Sequence, residues 1–217
     1  MQFGLVGSEM CIRDRSSLDP EILTTPATPF APNGGVKLLE GNLGRSVIKT
    51  SAVQEQHHIM EAPAIVIDDQ DDLKPLFEAG ELDKDCVVVV RFQGPAANGM
   101  PELHKLTPML GVLQDRGHKV ALVTDGRMSG ASGKVPAAIH LVPEASQGGP
   151  LGKIQTGDVI RLDATTGELS AHIDETELKS RTEAQAPNVP GTVGRGLFGN
   201  NRLAISSAEE GASSLFI

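Results

Sequence analysis

Tryptophan and tyrosine are absent from this chain of 217 residues, and six phenylalanines are its only aromatic side chains. The hydrophobic 39% is therefore almost wholly aliphatic, which still suffices for one core, or for one domain with an appendage. Cysteine is scarce: Cys11 and Cys86 are too few for a disulfide framework or, alone, for a closed structural zinc site. Basic excess is lacking as well, since 19 Lys and Arg face 28 Asp and Glu, a formal charge of −9. That balance excludes the electrostatic footprint of a nucleic-acid binder and argues against an anionic membrane surface as partner. No apolar run approaches the roughly 18 residues that a membrane-spanning helix needs. What remains is a soluble, reduced, cytoplasmic globular domain.

Residues 1–17 stand apart. Their apolar part is broken by Gly4 and too short for a secretory core, and Glu9 and Asp14 follow without a small-residue cleavage site. Residues 7–15, GSEMCIRDR, resemble a translated sequencing-adapter artefact. The segment, with Cys11, is set aside from the functional reading; an ordinary N-terminal arm is the alternative. Residues 18–35 carry Pro20, Pro26, Pro29 and Pro32 and then Asn33-Gly34-Gly35, which reads as an extended lead-in.

The first clear strand is residues 64–67, AIVI, and a helix is expected after the acidic start Asp68 to Asp72. Leu73, Leu76 and Phe77 give that helix its apolar stripe and Gly80 ends it. Residues 86–90, CVVVV, form a continuous apolar run suited to a strand covered on both faces. A second helix is expected from near Pro101, with Leu103, Leu106, Leu110 and Leu113 on one side and Pro108 kinking or splitting it. Residues 119–124, KVALVT, are the next strand. This alternation predicts an α/β core. Later, residues 158–162 and 168–173 pair as a hairpin around Ala164-Thr165-Thr166-Gly167, and residues 174–181 suit a short helix. The tail after Ala186 carries no assignable pattern.

Two loops leave buried-type strands and are loaded with small and polar residues: 93–102, QGPAANGMPE, and 125–134, DGRMSGASGK. In open α/β sheets ligands gather beyond the carboxyl ends of strands, and glycine lets amide N–H groups converge on an anion. Gly133-Lys134 invites a nucleotide reading, but the P-loop would need glycine at Met128 and a hydroxyl at Val135. His57 and His58 adjoin without a third ligand at metal spacing; His104, His118 and His140 read as structural histidines. Cys86, opening an apolar strand, reads as a buried, inert thiol.

Several ordered motifs are more specific. Asn98-Gly99-Met100-Pro101-Glu102-Leu103, Thr124-Asp125-Gly126-Arg127-Met128-Ser129-Gly130, Pro143-Glu144-Ala145, Gly148-Gly149-Pro150-Leu151 and Gly157-Asp158-Val159-Ile160 follow one another along the chain. In that order they resemble the dihydroxy-acid/6-phosphogluconate dehydratase family. Gly41-Asn42-Leu43-Gly44-Arg45, Cys86-Val87-Val88-Val89-Val90-Arg91 and the run from Ser129 to Pro136 look most like its 6-phosphogluconate branch. The likeness covers residues 18–217.

That resemblance implies the C-terminal domain of such an enzyme, a swivelling β/β/α barrel-like unit of α/β class, without the N-terminal domain that carries the iron–sulfur cluster cysteines and most magnesium ligands. It implies Glu102 as a Mg²⁺ ligand and Ser129 as the catalytic base; Lys134, with Arg127, is expected to hold the anionic end of a phosphorylated sugar acid, and Asn98 and Gly130 to be further substrate contacts. It also implies a homodimer in the full-length form and no nucleic-acid or membrane partner. A hard dication takes oxygen ligands, which suits Glu102, and a serine base needs its alkoxide stabilised by nearby donors. Relatives often place a threonine shortly after the base serine. Ala131, Ser132 and then Lys134 stand here instead, which weakens a branched-chain acid as substrate and fits a phosphorylated one. Alternatives left open are another dehydratase of the family and a non-catalytic binding domain that keeps the fold.

Overall fold

The computed structural model describes residues 17–128, 133–187 and 199–215. The reading of the N-terminal segment and Cys11 therefore lies outside the described residues. The chain divides into two units at Gly35. Residues 17–35 contain turns only and are almost wholly exposed, as their prolines require.

The second unit is built on a closed barrel. Its strands are β1 (Val36–Gly41), β2 (Gly44–Lys49), β3 (Ile59–Ile67), β4 (Cys86–Val90), β5 (Val120–Thr124), β6 (Ala137–Val142), β7 (Val159–Asp163) and β8 (Glu168–Ala171). Their order around the barrel is β1-β2-β6-β5-β4-β3-β7-β8. Strands β3, β4, β5 and β6 run parallel, and hairpins β1–β2 and β7–β8 complete the wall. Closure comes at Glu40 of β1 beside Glu168 of β8. The helices are α1 (Leu73–Glu78), α2 (Pro95–Asn98), α3 (Leu106–Asp115), α4 (Glu175–Ser180) and α5 (Gly199–Leu203).

Period-two alternation assigns the apolar residues to two cores. On β4, Val87 and Val89 point into the barrel, where they meet Leu39, Met60, Ala121, Leu141 and Leu162. Cys86, Val88 and Val90 point outward and are covered by Leu73 of α1 and by Leu106, Leu110 and Leu113 of α3. This double cover explains why the sequence of β4 is apolar without interruption. Burial of each such valine stabilises by about 1.5–3 kcal/mol.

Local chemistry sets the helix ends. Asp69 and Asp72 form a reciprocal capping box ahead of α1, and Gly80 leaves it at φ +75°. Asp174 caps α4 by accepting from the amides of Thr176 (2.8 Å) and Glu177 (3.3 Å). Helix α3 departs from expectation. It starts at Leu106, not near Pro101, and Pro108 occupies its first turn, where an N–H has no helical partner to lose. The helix runs unsplit to Asp115, and Leu103 is buried from the preceding loop instead. Hairpin β1–β2 and strand β6 have no counterpart in the strands read from the sequence. Leu38 of β1 is exposed, so its Leu38-Leu39 pair masks the alternation, while Asn42 pins the hairpin by bonding both backbone groups of Ala171.

Candidate active site at the strand exits

The carboxyl ends of β4, β5 and β6 open onto loops that are tied together by two buried acids. Asp125, directly after β5, is fully buried. Its carboxylate accepts backbone N–H groups from Phe92 (3.2 Å) and Gln93 (2.8 Å) after β4, and from Ala145 (2.9 Å) after β6. Burial pushes the Asp125 carboxyl up to about 6, and the nearby charge of Glu144 acts in the same direction, while the three amides pull it down. Glu144 follows β6 and is also buried; it accepts the Ala96 amide (3.1 Å) and the Ser146 hydroxyl (2.5 Å). Glycine is required where these loops touch. A Cβ on Gly94 would stand 1.7 Å from the Glu144 carboxylate, and one on Gly126 would stand 2.6 Å from Cβ of Gln93.

On this foundation the two loops read from the sequence come together. Glu102 and Arg127 form a parallel β-bridge, and the Leu103 amide donates to the Arg127 carbonyl at 3.1 Å. Bridge partners stand abreast and send their side chains to one face. Arg127 Nε donates to the Met100 carbonyl at 2.8 Å, which fixes the guanidinium over the loop that carries Glu102. The turn is tight: Gly99 and Met100 have φ of +71° and +52°. Asn98 donates to the side-chain oxygen of Gln93 at 2.8 Å, and Gln93 is itself held by the Asp68 carbonyl at 2.7 Å. The Glu102 carboxylate is half-buried and has no hydrogen-bond or ion-pair partner among the described residues.

Other expected residues fall elsewhere. Ser129 and Gly130 lie outside the described residues, as do Ala131 and Ser132. Lys134 ion-pairs with Asp115, the last residue of α3, whereas Glu102 precedes the first turn of the same helix. The length of α3, about 15 Å at 1.5 Å per residue, separates them. His104 keeps its ring near the Glu102 carbonyl at 3.3 Å. A cavity of about 270 Å³ beside Asn42, Lys153 and Lys179 contains none of the expected site residues.

Metal chemistry meets these residues unevenly. An unpartnered, half-buried carboxylate suits a hard divalent cation, which commonly takes one or two carboxylates and fills its shell with water and substrate oxygens. Among the described residues no group of three or more His, Cys, Asp or Glu could hold a metal ion. Glu102 thus fits as one ligand of Mg²⁺. Among the described residues nothing fits an iron–sulfur cluster: Cys86 is buried in β4, and burial pushes its thiol up to about 11, so it is not a thiolate at neutral pH.

Residues 21–212 match the family model for the dihydroxy-acid/6-phosphogluconate dehydratase C-terminal region. The chain belongs to this family. It is 59% identical over 200 residues to the phosphogluconate dehydratase of Pseudomonas aeruginosa, covering 91% of this chain and 33% of that protein. The phosphogluconate dehydratase of Escherichia coli strain K12 is 55% identical over 202 residues, covering 92% and 33%. The dihydroxy-acid dehydratase of Ignicoccus hospitalis is 35% identical over 205 residues, covering 93% and 37%. The chain thus spans about a third of the length of the curated relatives it matches. Within this family member, no described helix is long and apolar enough to cross a membrane.

Sequence reasoning placed Asp125 in a polar loop and Glu144 in a motif but gave neither a role. Burial and the three-loop convergence that define their work are tertiary facts. His140 likewise read as structural, although the structure sets it beside Arg127.

Proposed function

We propose that this chain forms the C-terminal part of a phosphogluconate dehydratase, which removes water from 6-phospho-D-gluconate to give 2-dehydro-3-deoxy-6-phospho-D-gluconate in the Entner–Doudoroff route. The observation that carries the reading is the Glu102–Arg127 bridge, which joins an unpartnered carboxylate and a guanidinium on one face at the strand exits. The identities favour the phosphogluconate branch, 59% and 55% against 35% for the dihydroxy-acid dehydratase.

In this reading Glu102 holds Mg²⁺, which when bound neutralises the enolate-like charge that develops on the acid end of the substrate. Arg127 holds substrate oxygens with its outer nitrogens, since Nε is committed to Met100. Asn98 orients a substrate hydroxyl from its post on Gln93. Ser129, two residues beyond Arg127, acts as an alkoxide whose charge the Gly130 amide supports. It takes the proton next to the carboxylate, and the C–H electrons pass into the enolate-like system. The hydroxyl on the neighbouring carbon leaves with its C–O electrons as hydroxide, which recovers the serine proton as water. Lys134 reaches the phosphate only after leaving Asp115. The iron–sulfur cluster of the reading takes its ligands from outside the described residues. The full-length protein works as a cytoplasmic homodimer on a small anionic substrate, with neither nucleic acid nor membrane as partner.

The test is a hybrid enzyme in which residues 18–217 replace the corresponding third of the Pseudomonas aeruginosa relative. Formation of the keto acid from 6-phosphogluconate is expected. Glu102→Gln should lower turnover a hundredfold or more and weaken activation by added Mg²⁺, with the melting temperature unchanged. A folded hybrid that forms no keto acid refutes the proposal.

A further inference from the structure

His140 is the group at the strand exits that the proposed reaction leaves unused. It stands near the end of β6, where the pairing with β2 slips. Arg45 faces Val142 but Val47 faces Ile139, so β6 carries an extra residue at this point. His140 itself has φ +57°, a left-handed conformation that is costly for a side chain of this size. A bulge of this kind re-aims a side chain, and such bulges gather beside active sites. The redirected backbone donates its N–H to the Gly126 carbonyl at 2.9 Å, which brings His140 to the residue before Arg127, close enough for the guanidinium charge to act on the ring. Glu102 on Arg127 and His140 on the adjacent Gly126 thus make one row along the loop that leaves β5.

The ring is half-buried and has no hydrogen-bond partner among the described residues. Burial pushes its pKa down, and the positive charge of Arg127 pushes the same way. Those influences keep the imidazole neutral, with one nitrogen carrying a proton to donate and the other a lone pair to accept. A purely structural histidine in a strand needs neither a bulge nor a left-handed backbone, and it satisfies its ring inside the protein.

We propose that His140 is a substrate-binding residue that pairs with Arg127 across an α-hydroxy acid anion. Arg127 meets the carboxylate, and the imidazole hydrogen-bonds the neighbouring hydroxyl. The assignment rests on the proposed reaction for its ligand class, and on the β6 bulge for its geometry. It makes the row selective: a simple carboxylate or a phosphate offers no hydroxyl at the right distance from the charge.

Two experiments decide it. In the isolated chain, labelled for observation of its histidine rings, 6-phosphogluconate with Mg²⁺ should move the His140 ring resonances, while inorganic phosphate should not. In the hybrid enzyme, His140→Ala should raise KM for 6-phosphogluconate ten- to a hundredfold with a smaller effect on kcat. His140→Asn should recover most of that loss, because asparagine tolerates the left-handed backbone and keeps a donor. A structural role would instead lower the melting temperature in both variants and leave KM alone. Ring resonances equally moved by phosphate, or unmoved by the sugar acid, overturn the proposal. So does an unchanged KM in an active His140→Ala hybrid, and that result leaves the dehydratase reading standing. An inactive parent hybrid counts against the dehydratase reading alone, and the ring resonances then decide His140.

Discussion

Replacing Asp125 by asparagine should destabilise the protein at pH 4 but no longer at pH 7. The carboxyl is fully buried, and removal from water raises it from the usual 3.8 to about 6. A group whose pKa is higher in the folded protein contributes stability that is complete below the unfolded value and is lost as pH rises through the folded one. The window therefore runs from about pH 3.8 to about pH 6. The gap of about two pH units, at about 1.4 kcal/mol each, makes that loss about 3 kcal/mol. Asparagine does not ionise and escapes it. Its single accepting oxygen, however, cannot serve the amides of Phe92, Gln93 and Ala145 as two carboxylate oxygens do. At least one buried N–H is left without a partner, a constant cost of about 1–3 kcal/mol. The variant should be less stable than the parent at pH 4 and level with it, or ahead, at pH 7. Urea unfolding followed by far-ultraviolet circular dichroism measures this, since the chain has no tryptophan or tyrosine to report by fluorescence. Asp163, Glu168 and Asp174 have lowered pKa values and lose stability as pH falls, but they do so in both proteins and cancel in the difference. A stability difference that stays constant from pH 4 to pH 7 would refute the buried-charge argument.

Two further outcomes are expected. Gly94→Ala drives a methyl group into the Glu144 carboxylate and into its Cβ 2.9 Å away, so Glu144 must release the Ala96 amide. The loss should be about 1–3 kcal/mol, and combination with Glu144→Ala should cost clearly less than the sum of the two, whereas additive losses would contradict the contact. Cys86, with its thiol raised to about 11 and its side chain buried, should resist iodoacetamide at pH 8 until urea unfolds the chain. Peptide mass mapping of native protein labelled at Cys86 would count against that environment.

Strands with local signatures were legible without coordinates. The CVVVV run is apolar at every position because both its faces are covered, and the turn from Ala164 to Gly167 closes a hairpin through the Asp163 carboxylate. The helix after Asp69 follows from capping chemistry confined to four residues. Less was legible where a strand depends on distant partners. β6 is broken by the His140 bulge, and β1 leaves Leu38 outside, so neither shows the alternation that half-buried strands carry. Pro108 misled because a proline's effect depends on its turn within the helix, and here it falls in the first turn.

The motif-bearing loops, the glycines within them and their charged residues, Glu102, Asp125, Arg127 and Lys134, were fixed by the order of residues alone. Tertiary structure decided what those loops face. It set Glu102 abreast of Arg127, drew three strand exits onto the Asp125 carboxylate, and tied Lys134 to the far end of α3. Local propensity and periodicity act over a few residues and can be read in one dimension. Which loop exits meet is set by parallel strand pairing between segments separated by helices and loops along the chain, and by a buried charge that only the closed barrel removes from water.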